Sequence, residues 1–276
     1  MSDTTSNKTL RVAIAGLGAI GLAVARHIDS GRLAGMTLTA VASGRRERAE
    51  ENLKPFANPP AIAAIAELGE AADIIVECAP AAHFAAIARS ALEAGRIFMP
   101  LSVGALLDHM DLVDLAREKG GRIIVPTGAL LGLDAVRAAA IGTVDDVTLT
   151  TRKPPAGLEG APYLVANNIS LEGLEQAKRL FTGSAREAAK GFPANLNIAA
   201  ALALAGIGPD ATRVEIWADP TLTRNTHTVT VRSDSSDFTM TLENKPTEAN
   251  PRTGRITAQS VIAALERLTA PLVIGS

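Results

Sequence analysis

The sequence has 276 residues, a formal net charge of −2 and a pI near 6.1, values that give no sign of a nucleic-acid-binding or membrane-binding surface. Hydrophobic residues make up 47% and aromatic residues 3%, which suits helices packed on a sheet with a sizeable buried core. The single cysteine, Cys78, excludes an intramolecular disulfide, and neither metal-ligand spacings nor a long uncharged apolar run is present. We therefore expect a cytoplasmic protein without a metal site that binds neither nucleic acid nor membranes.

Residues 9–125 alternate short apolar runs with amphipathic segments, after a polar tail that lacks the apolar core of a signal peptide. The predicted strands are residues 10–15, 36–42, 73–78, 97–101 and 122–125. The predicted helices are residues 20–28, 83–94 and 106–119. Repeated strand–helix units of this length predict a Rossmann-type, doubly wound parallel sheet, which we assign to residues 1–127.

The pattern changes after residue 127. Alternating, strand-like segments cover residues 144–151, 212–218, 226–232 and 237–242, and helical periodicity covers residues 171–181, 198–205 and 257–268. Ser170 is a candidate N-cap for the first of these helices. The alternation predicts a largely antiparallel, half-exposed sheet. We assign residues 128–250 to a second α/β domain for substrate binding, catalysis and dimerisation, and residues 251–276 to a C-terminal helix that packs back on the first domain.

A glycine-rich turn follows the first predicted strand and opens the first predicted helix, with Gly16, Gly18 and Gly21 at dinucleotide-binding spacing. The first glycine permits a tight turn, the second lets the backbone approach a pyrophosphate, and the third lets helix and strand pack closely. The helix N-terminus at Ala19 and Ile20 favours an anion. We predict that the turn binds NAD or NADP, and the alternative is a glycine-rich turn without a ligand.

The end of the second predicted strand bears on the choice between the two cofactors. NAD-type sites place an acidic residue there, but this sequence has no carboxylate before Glu47. Ser43 and Arg45 are suited to hold a 2′-phosphate through charge-assisted hydrogen bonds. The alternative is that Arg45 and Arg46 begin a solvated helix or stack on the adenine of either cofactor.

Polar residues lie next to predicted strand and helix ends in two places. Glu77 ends a predicted strand and either reaches the cofactor cleft or caps a neighbouring helix, whereas Cys78 is expected to be a small buried residue. Ala79 follows them and is predicted to contact the cofactor, because open α/β sheets bind ligands at the carboxyl ends of their strands. Asn195 and Asn197 precede a predicted helix, where either could cap it or hydrogen-bond a carboxamide such as that of nicotinamide.

The four histidines are the first candidates for acid–base catalysis: His27, His83, His109 and His227. We expect His27 and His109 on the surface, and His83 in a capping or packing role rather than beside the nicotinamide. His227 begins an alternating strand, where period-two counting places it on the side of the apolar residues 229 and 231. A partly buried acid–base group and a satisfied core histidine both explain that position.

Several segments together resemble the L-aspartate dehydrogenase family over nearly the whole chain after the tail. In chain order they are VAIAGLGAIG at 12–21, VECAP at 76–80, PTGALLGLDA at 126–135, TRKPP at 151–155, FPANLN at 192–197, DPTLTRNTH at 219–227 and NPRTG at 250–254. The first is shared by many dehydrogenases, and the later ones in this order are far more specific.

The resemblance implies a Rossmann domain and an α/β substrate domain, usually in a homodimer. It implies NAD(P)-dependent oxidation of L-aspartate to iminosuccinate, then oxaloacetate and ammonia, or the reverse reduction of iminosuccinate. It also implies cofactor contacts at Ala129 and Asn195 and an active-site role for His227. Two substrate carboxylates need cationic or amide partners, and the candidates, each with a surface salt bridge as its alternative, are Arg152, Lys153, Arg224 and Asn225.

Two other functions stay open from the residues alone. One is a different two-domain NAD(P) oxidoreductase, of the homoserine dehydrogenase or dihydrodipicolinate reductase type, which shares the glycine turn but not the segments of Asn195 and His227 together. The other is a cofactor-binding regulator without turnover.

Overall fold

The computed structural model of the chain describes residues 9–193, 197–247 and 254–275. The chain divides into two compact units. The first runs to Pro126 and also includes Ala258–Val273, and the second contains Thr127–Thr257. No helix in the described part of the chain is long and apolar enough to cross a bilayer.

The first unit contains a six-stranded sheet in the order β3-β2-β1-β4-β5-β6, with every neighbouring pair parallel. Its strands are β1 (Leu10–Ala15), β2 (Met36–Ala42), β3 (Ala61–Ile62), β4 (Ile74–Glu77), β5 (Ile97–Pro100) and β6 (Arg122–Ile123). The predicted Rossmann-type sheet is confirmed. Because the strand order reverses direction between β1 and β4, the carboxyl ends of these two strands form the switch point at which such sheets bind ligands.

Helices connect these strands because their apolar residues recur at helical spacing. They are α1 (Ala19–Asp29), α2 (Arg46–Leu53), α3 (Leu68–Ala71), α4 (Phe84–Glu93), α5 (Val103–Leu106) and α6 (Asp111–Lys119). In α1, for example, Val24 and Ile28 lie one turn apart and both are buried in the core.

The prediction of one continuous helix over residues 106–119 is wrong. After α5, successive N–H groups bond three residues back, ending with His109 N–H on the Leu106 carbonyl at 3.0 Å, and α6 begins at Asp111. These tighter turns place the His109 ring 5.8 Å from that of buried Phe84, with the rings stacked at 21°. His109 is therefore half-buried against a core aromatic residue, which corrects its assignment to the surface.

The last helix, α11 (Arg255–Glu266), supplies core residues to the first unit. Val261 and Leu265 are fully buried and belong to the same apolar cluster as Val12 of β1. Just beyond the helix, the Thr269 hydroxyl donates to the Ala34 carbonyl at 3.0 Å. A segment distant in sequence thus completes this core.

The second unit contains a five-stranded sheet in the order β11-β10-β7-β9-β8. Its strands are β7 (Val144–Lys153), β8 (Lys178–Ser184), β9 (Arg213–Ala218), β10 (Thr226–Ser233) and β11 (Phe238–Glu243). All neighbouring pairs are antiparallel except β7 with β9, which confirms the predicted, largely antiparallel sheet.

Helices cover one face of this sheet, which we call the inner face. They include α7 (Leu133–Ala139), α8 (Pro162–Ala166), α9 (Ala185–Gly191) and α10 (Asn197–Ala205). Gly206, directly after α10, lies so close to Val136 of α7 and Val147 of β7 that an added Cβ would be 3.2 and 3.7 Å from their side chains. Buried residues on alternating positions of β7, β9 and β10 make the inner face apolar along most of its length.

The predicted helix over residues 171–181 is wrong. Its last four residues begin the edge strand β8, and Ser170 accepts the Glu172 N–H at 3.1 Å in a turn instead of capping a helix. The Phe181 ring lies 5.3 Å from that of Tyr163 and 5.7 Å from that of Phe192. Pairing with β9 and this aromatic contact override the local helical pattern.

Candidate active site

The glycine turn after β1 brings backbone segments into close contact. Gly16 has a φ of +99°, and a Cβ atom there would lie 2.5 Å from the carbonyl oxygen of Cys78, beyond the end of β4. A Cβ atom at Gly21 would lie 1.9 Å from the carbonyl oxygen of Gly16. Glycine is required at both positions because any side chain would collide with backbone.

The middle glycine, Gly18, has a different environment. It is exposed, and no heavy atom lies within 4 Å of the position that a Cβ atom would take. The first hydrogen bond of α1 runs from Leu22 N–H to the Gly18 carbonyl at 2.9 Å, so the amides of Ala19 and Ile20 precede the hydrogen-bonded turns. Open space beside a helix N-terminus fits a dinucleotide pyrophosphate.

Glu77 at the end of β4 organises the neighbouring loops. Its buried carboxylate accepts the Ala79 N–H at 2.9 Å, the Ser102 N–H at 2.9 Å, the Ser102 hydroxyl at 3.0 Å and the Leu101 N–H at 3.2 Å. Burial raises the pKa of the Glu77 carboxyl, and these donors oppose that rise. Of the two roles that the sequence left open, the structure supports capping, since Glu77 binds the start of α5. The adjacent Cys78 was expected to be buried, but it is only partly buried, packed against the core of the first unit, and its surroundings raise the pKa of its thiol.

The two arginines after β2 have different surroundings. Arg46 lies in α2 and pairs with Glu50 one turn later at 3.0 Å, so it supports the helix surface. Arg45 precedes α2 and is exposed, and its N–H lies 3.3 Å from the Ser43 hydroxyl. Ser43 and Arg45 thus lie together at the end of β2, beside which the adenosine ribose binds in this class of sheet.

The inner face of the second sheet becomes polar at one end, around His227. His227 is 2% exposed, and Val229 and Val231 on the same side of β10 are fully buried, which confirms the predicted orientation of the imidazole. Thr151 of β7 is its direct cross-strand partner. The Thr151 Oγ1 and His227 Nδ1 atoms are 3.1 Å apart and hydrogen-bonded.

Lys153 continues this polar end two residues beyond Thr151, where the alternation of β7 keeps it on the inner face at 6% exposure. Burial lowers the pKa of Lys153 to about 8. Burial and the charge of Lys153 lower the pKa of His227 to about 3. At pH 7 the site therefore combines a neutral imidazole, able to accept a proton, with a lysine that is largely cationic and able to attract a carboxylate.

Arg152 lies on the opposite face of the sheet from His227. Its guanidinium lies 4.8 Å from the centre of the Trp217 ring and 3.4 Å from a carboxylate oxygen of Asp219. The hydroxyl of Thr221 donates to the same Asp219 carboxylate at 2.6 Å and keeps its pKa low. The structure therefore separates Arg152 from the predicted site, because neighbouring residues of a strand face opposite sides.

The loop before β10 holds two more predicted residues. Arg224 forms an ion pair with Glu243 of β11. The Asn225 carbonyl accepts the N–H of Asn244 at 3.1 Å, and the Asn244 side chain donates to the Ala129 carbonyl at 3.1 Å. Asn244, which the sequence did not single out, thus joins the segments of Asn225 and Ala129. Asn195 lies outside the described residues.

The two remaining histidines, His27 and His83, belong to the first unit. His83 is exposed at the end of a 3₁₀ turn, Ala81–His83, that precedes α4, and its side chain caps no N–H group. His27 is half-buried in the last turn of α1, which corrects its assignment to the surface as it does that of His109. Thr151 and Glu77 position neighbouring groups through the hydrogen bonds described above. Thr151 was not singled out from the sequence, although period-two counting along β7 puts it on the apolar face of that strand, the face that His227 shares.

Comparison with known families assigns the two parts of the chain separately. Residues 16–126 match the family described as homoserine dehydrogenase, NAD binding domain, so the first unit contains an NAD-binding domain. Residues 134–268 match the family described as aspartate dehydrogenase, C-terminal.

Similar proteins match along their full length. The chain is 55% identical to the L-aspartate dehydrogenase of Bradyrhizobium diazoefficiens, over all of this chain and 98% of that protein. It is 50% identical to L-aspartate dehydrogenase 3 of Bordetella bronchiseptica, over 99% of this chain and all of that protein. Among solved structures, aspartate dehydrogenase from Thermotoga maritima superposes with a TM-score of 0.75 at 22% identity, over 96% of this chain and 99% of that one.

Proposed function

The chain belongs to the L-aspartate dehydrogenase family, and on that premise we propose that it oxidises L-aspartate to iminosuccinate with NAD or NADP. Water then converts iminosuccinate to oxaloacetate and ammonia, and the same site accelerates the reverse reduction. The observation that carries the proposal is the buried pair of a neutral His227 and a cationic Lys153.

His227 is the proposed acid–base residue. The amine of L-aspartate must lose a proton before C2 gives up a hydride, and a neutral imidazole accepts that proton. The bound nicotinamide supplies the hydride acceptor. After the imidazolium has released that proton to solvent, the imidazole takes a proton from the water that adds to the imine carbon and passes it to the nitrogen, which leaves as ammonia. The low pKa of His227 leaves the ring unprotonated at neutral pH, and the carboxylates of bound L-aspartate favour its protonation by offsetting the charge of Lys153.

Lys153 is the proposed partner of one substrate carboxylate, because a buried ammonium forms a strong charge-assisted hydrogen bond to it. Asn225, two residues before His227, is the proposed amide donor to the other. Arg152 and Arg224 are already paired with acidic residues, so we leave them out of the substrate site.

Cofactor binding is proposed at the turn from Gly16 to Gly21, with further contacts from Ala79, Ala129 and Asn195. The open space at Gly18 supports the position of the pyrophosphate. Ser43 and Arg45 are the proposed partners of a 2′-phosphate, so we expect the enzyme to accept NADP as well as NAD.

A homodimer is also proposed, and the face of the second sheet opposite His227 supports it. This outer face carries a threonine array with two cross-strand hydroxyl pairs, Thr228 with Thr241 and Thr230 with Thr239. The threonine array is uncharged, and charged residues such as Arg152 and Glu215 lie beside it on the same face, so it suits burial against a second copy of the chain within a polar rim. Sedimentation should show a dimer, and Thr228→Arg should convert it to monomers. A monomeric wild-type protein would contradict this part of the proposal.

A cytoplasmic location stays a prediction from composition.

The test of the main proposal is NAD(P)H formation from L-aspartate, set beside NAD(P)H consumption with oxaloacetate and ammonia. We expect activity in both directions. L-homoserine is the matched control substrate, because the first unit resembles the cofactor domain of homoserine dehydrogenases, and it should give no NAD(P)H. Folded protein that binds cofactor but turns over no amino or imino acid would support a regulator instead.

A further inference from the structure

Thr151 and His227 form a hydrogen bond that is isolated from solvent. Thr151 is 4% exposed and His227 2% exposed, and the two residues face each other directly across the β7–β10 ladder. The 3.1 Å separation joins the hydroxyl to Nδ1 of the imidazole. In these surroundings water competes little for the bond, so it constrains the ring strongly.

Packing alone does not account for a threonine at position 151. The preceding inner-face residues of β7 are Val147 and Leu149, and those of β10 next to His227 are Val229 and Val231, all buried. Valine has nearly the shape of threonine and would continue this apolar row. What threonine adds is a hydroxyl with one donor and two acceptor sites, and the group that it meets is the imidazole.

The bond matters because the ring is neutral. A neutral imidazole has one donor nitrogen and one acceptor nitrogen, and which is which depends on the partner that each finds. A hydroxyl at Nδ1 occupies that nitrogen and leaves Nε2 for other partners. Without it, rotation about the Cβ–Cγ bond and exchange of tautomers are both less restricted.

We propose that Thr151 is a positioning residue, whose hydroxyl fixes the rotation and tautomer of His227 so that Nε2 exchanges the proton with the substrate. The inference rests on the proposed function, in which His227 is the acid–base residue. Thr151 itself touches no reacting atom and acts through the ring.

The test compares Thr151→Val, which keeps the shape, with Thr151→Ser, which keeps the hydroxyl. Thr151→Val should lower kcat with L-aspartate about tenfold, while Thr151→Ser retains most of the activity. Cofactor affinity should stay unchanged in both. Thr37→Val removes a hydroxyl from an exposed position of β2 in the first unit and should behave as wild type. In a His227→Ala background, Thr151→Val should cause no additional loss.

Nitrogen NMR of the His227 ring provides a readout that needs no turnover. One tautomer should dominate in the wild type and in Thr151→Ser, and a mixture should appear in Thr151→Val. Wild-type kcat together with an unchanged tautomer in Thr151→Val would overturn the proposal. If Thr151→Val does not fold, a Thr151→Ser variant with full activity but mixed tautomers would also overturn the proposal. Absence of aspartate turnover in the wild type, with a single tautomer that Thr151→Val disturbs, would instead count against the proposed function.

Discussion

Gly21 lies against the carbonyl oxygen of Gly16 so closely that a Cβ atom at Gly21 would be 1.9 Å from that oxygen. Gly18, between them, has no heavy atom within 4 Å of its Cβ position. Two glycines of one turn are therefore needed for the fold, whereas the third leaves space open for a ligand.

Alanine at these positions should separate the two roles. Gly21→Ala should lower the free energy of unfolding by about 1–3 kcal/mol, because the helix must move away from β1. Gly18→Ala should leave the melting temperature within error but weaken NAD(P)H binding, since the methyl group enters the space of the pyrophosphate. Calorimetry measures the melting temperature and the free energy of unfolding, and fluorescence titration measures the affinity for NAD(P)H. Wild-type cofactor affinity in Gly18→Ala would contradict the assigned position of the pyrophosphate.

Removing the imidazole should affect turnover and not cofactor binding. His227→Ala should reduce kcat by about 100-fold or more and leave the Kd for NAD(P)H unchanged. His27→Ala, in the last turn of α1, is the matched control and should keep wild-type kcat. Unchanged turnover in His227→Ala would make His227 a core histidine with no part in the chemistry.

The burial of His227 also predicts how stability depends on pH. The unfolded chain binds a proton at His227 as the pH falls through 6.5, whereas the folded protein does so only near pH 3. Between these values the unfolded state holds more protons, so stability rises with pH and is lost on acidification. From pH 7 to pH 5 this group should cost about 2 kcal/mol.

The comparison with His227→Asn isolates that contribution, because the other titrating groups are common to both proteins. Denaturant unfolding at pH 7 and pH 5 should show the wild type losing about 2 kcal/mol more than the variant. Equal losses in both proteins would mean that His227 is protonated in the folded state.

Lys153 should strengthen the binding of L-aspartate and lower the free energy of unfolding of the protein. Its lowered pKa reports the cost of burying an ammonium, so Lys153→Met should raise the free energy of unfolding at pH 7 by about 1–3 kcal/mol. The same variant should raise the KM for L-aspartate strongly and leave the Kd for NAD(P)H unchanged. A destabilised variant with wild-type KM would reverse this interpretation of Lys153.

Cofactor choice should depend on Arg45 and not on Arg46. Arg45→Ala should lower kcat/KM for NADP by about tenfold relative to that for NAD, because a charge-assisted contact to the 2′-phosphate is lost. Arg46→Ala removes only the pair with Glu50 and should leave the NADP/NAD ratio unchanged. Equal losses with both cofactors in Arg45→Ala would exclude a 2′-phosphate role.

The sequence predicted five of the six strands of the first sheet, because they are short apolar runs bounded by turns, and missed the two-residue edge strand β3. The bounds of β1 and β2 match the prediction residue for residue. The second unit was harder, since β8 is held by β9 and by aromatic contacts that no local pattern contains, and the short helices α7, α8 and α9 went unpredicted. Period-two counting predicts the orientation of His227, and the same counting along β7 places Arg152 and Lys153 on opposite faces, so only Lys153 shares a face with His227.

Helix α11 has a consequence for the order in which the protein folds during synthesis. Val261 and Leu265 fill the core beside β1, although more than 240 positions separate Val261 from Val12 in the sequence. A nascent chain that has emerged only to residue 126 therefore exposes the apolar surface that α11 later covers. The first unit can finish folding only after the second has been made, so a chaperone that shields this surface should act late in translation.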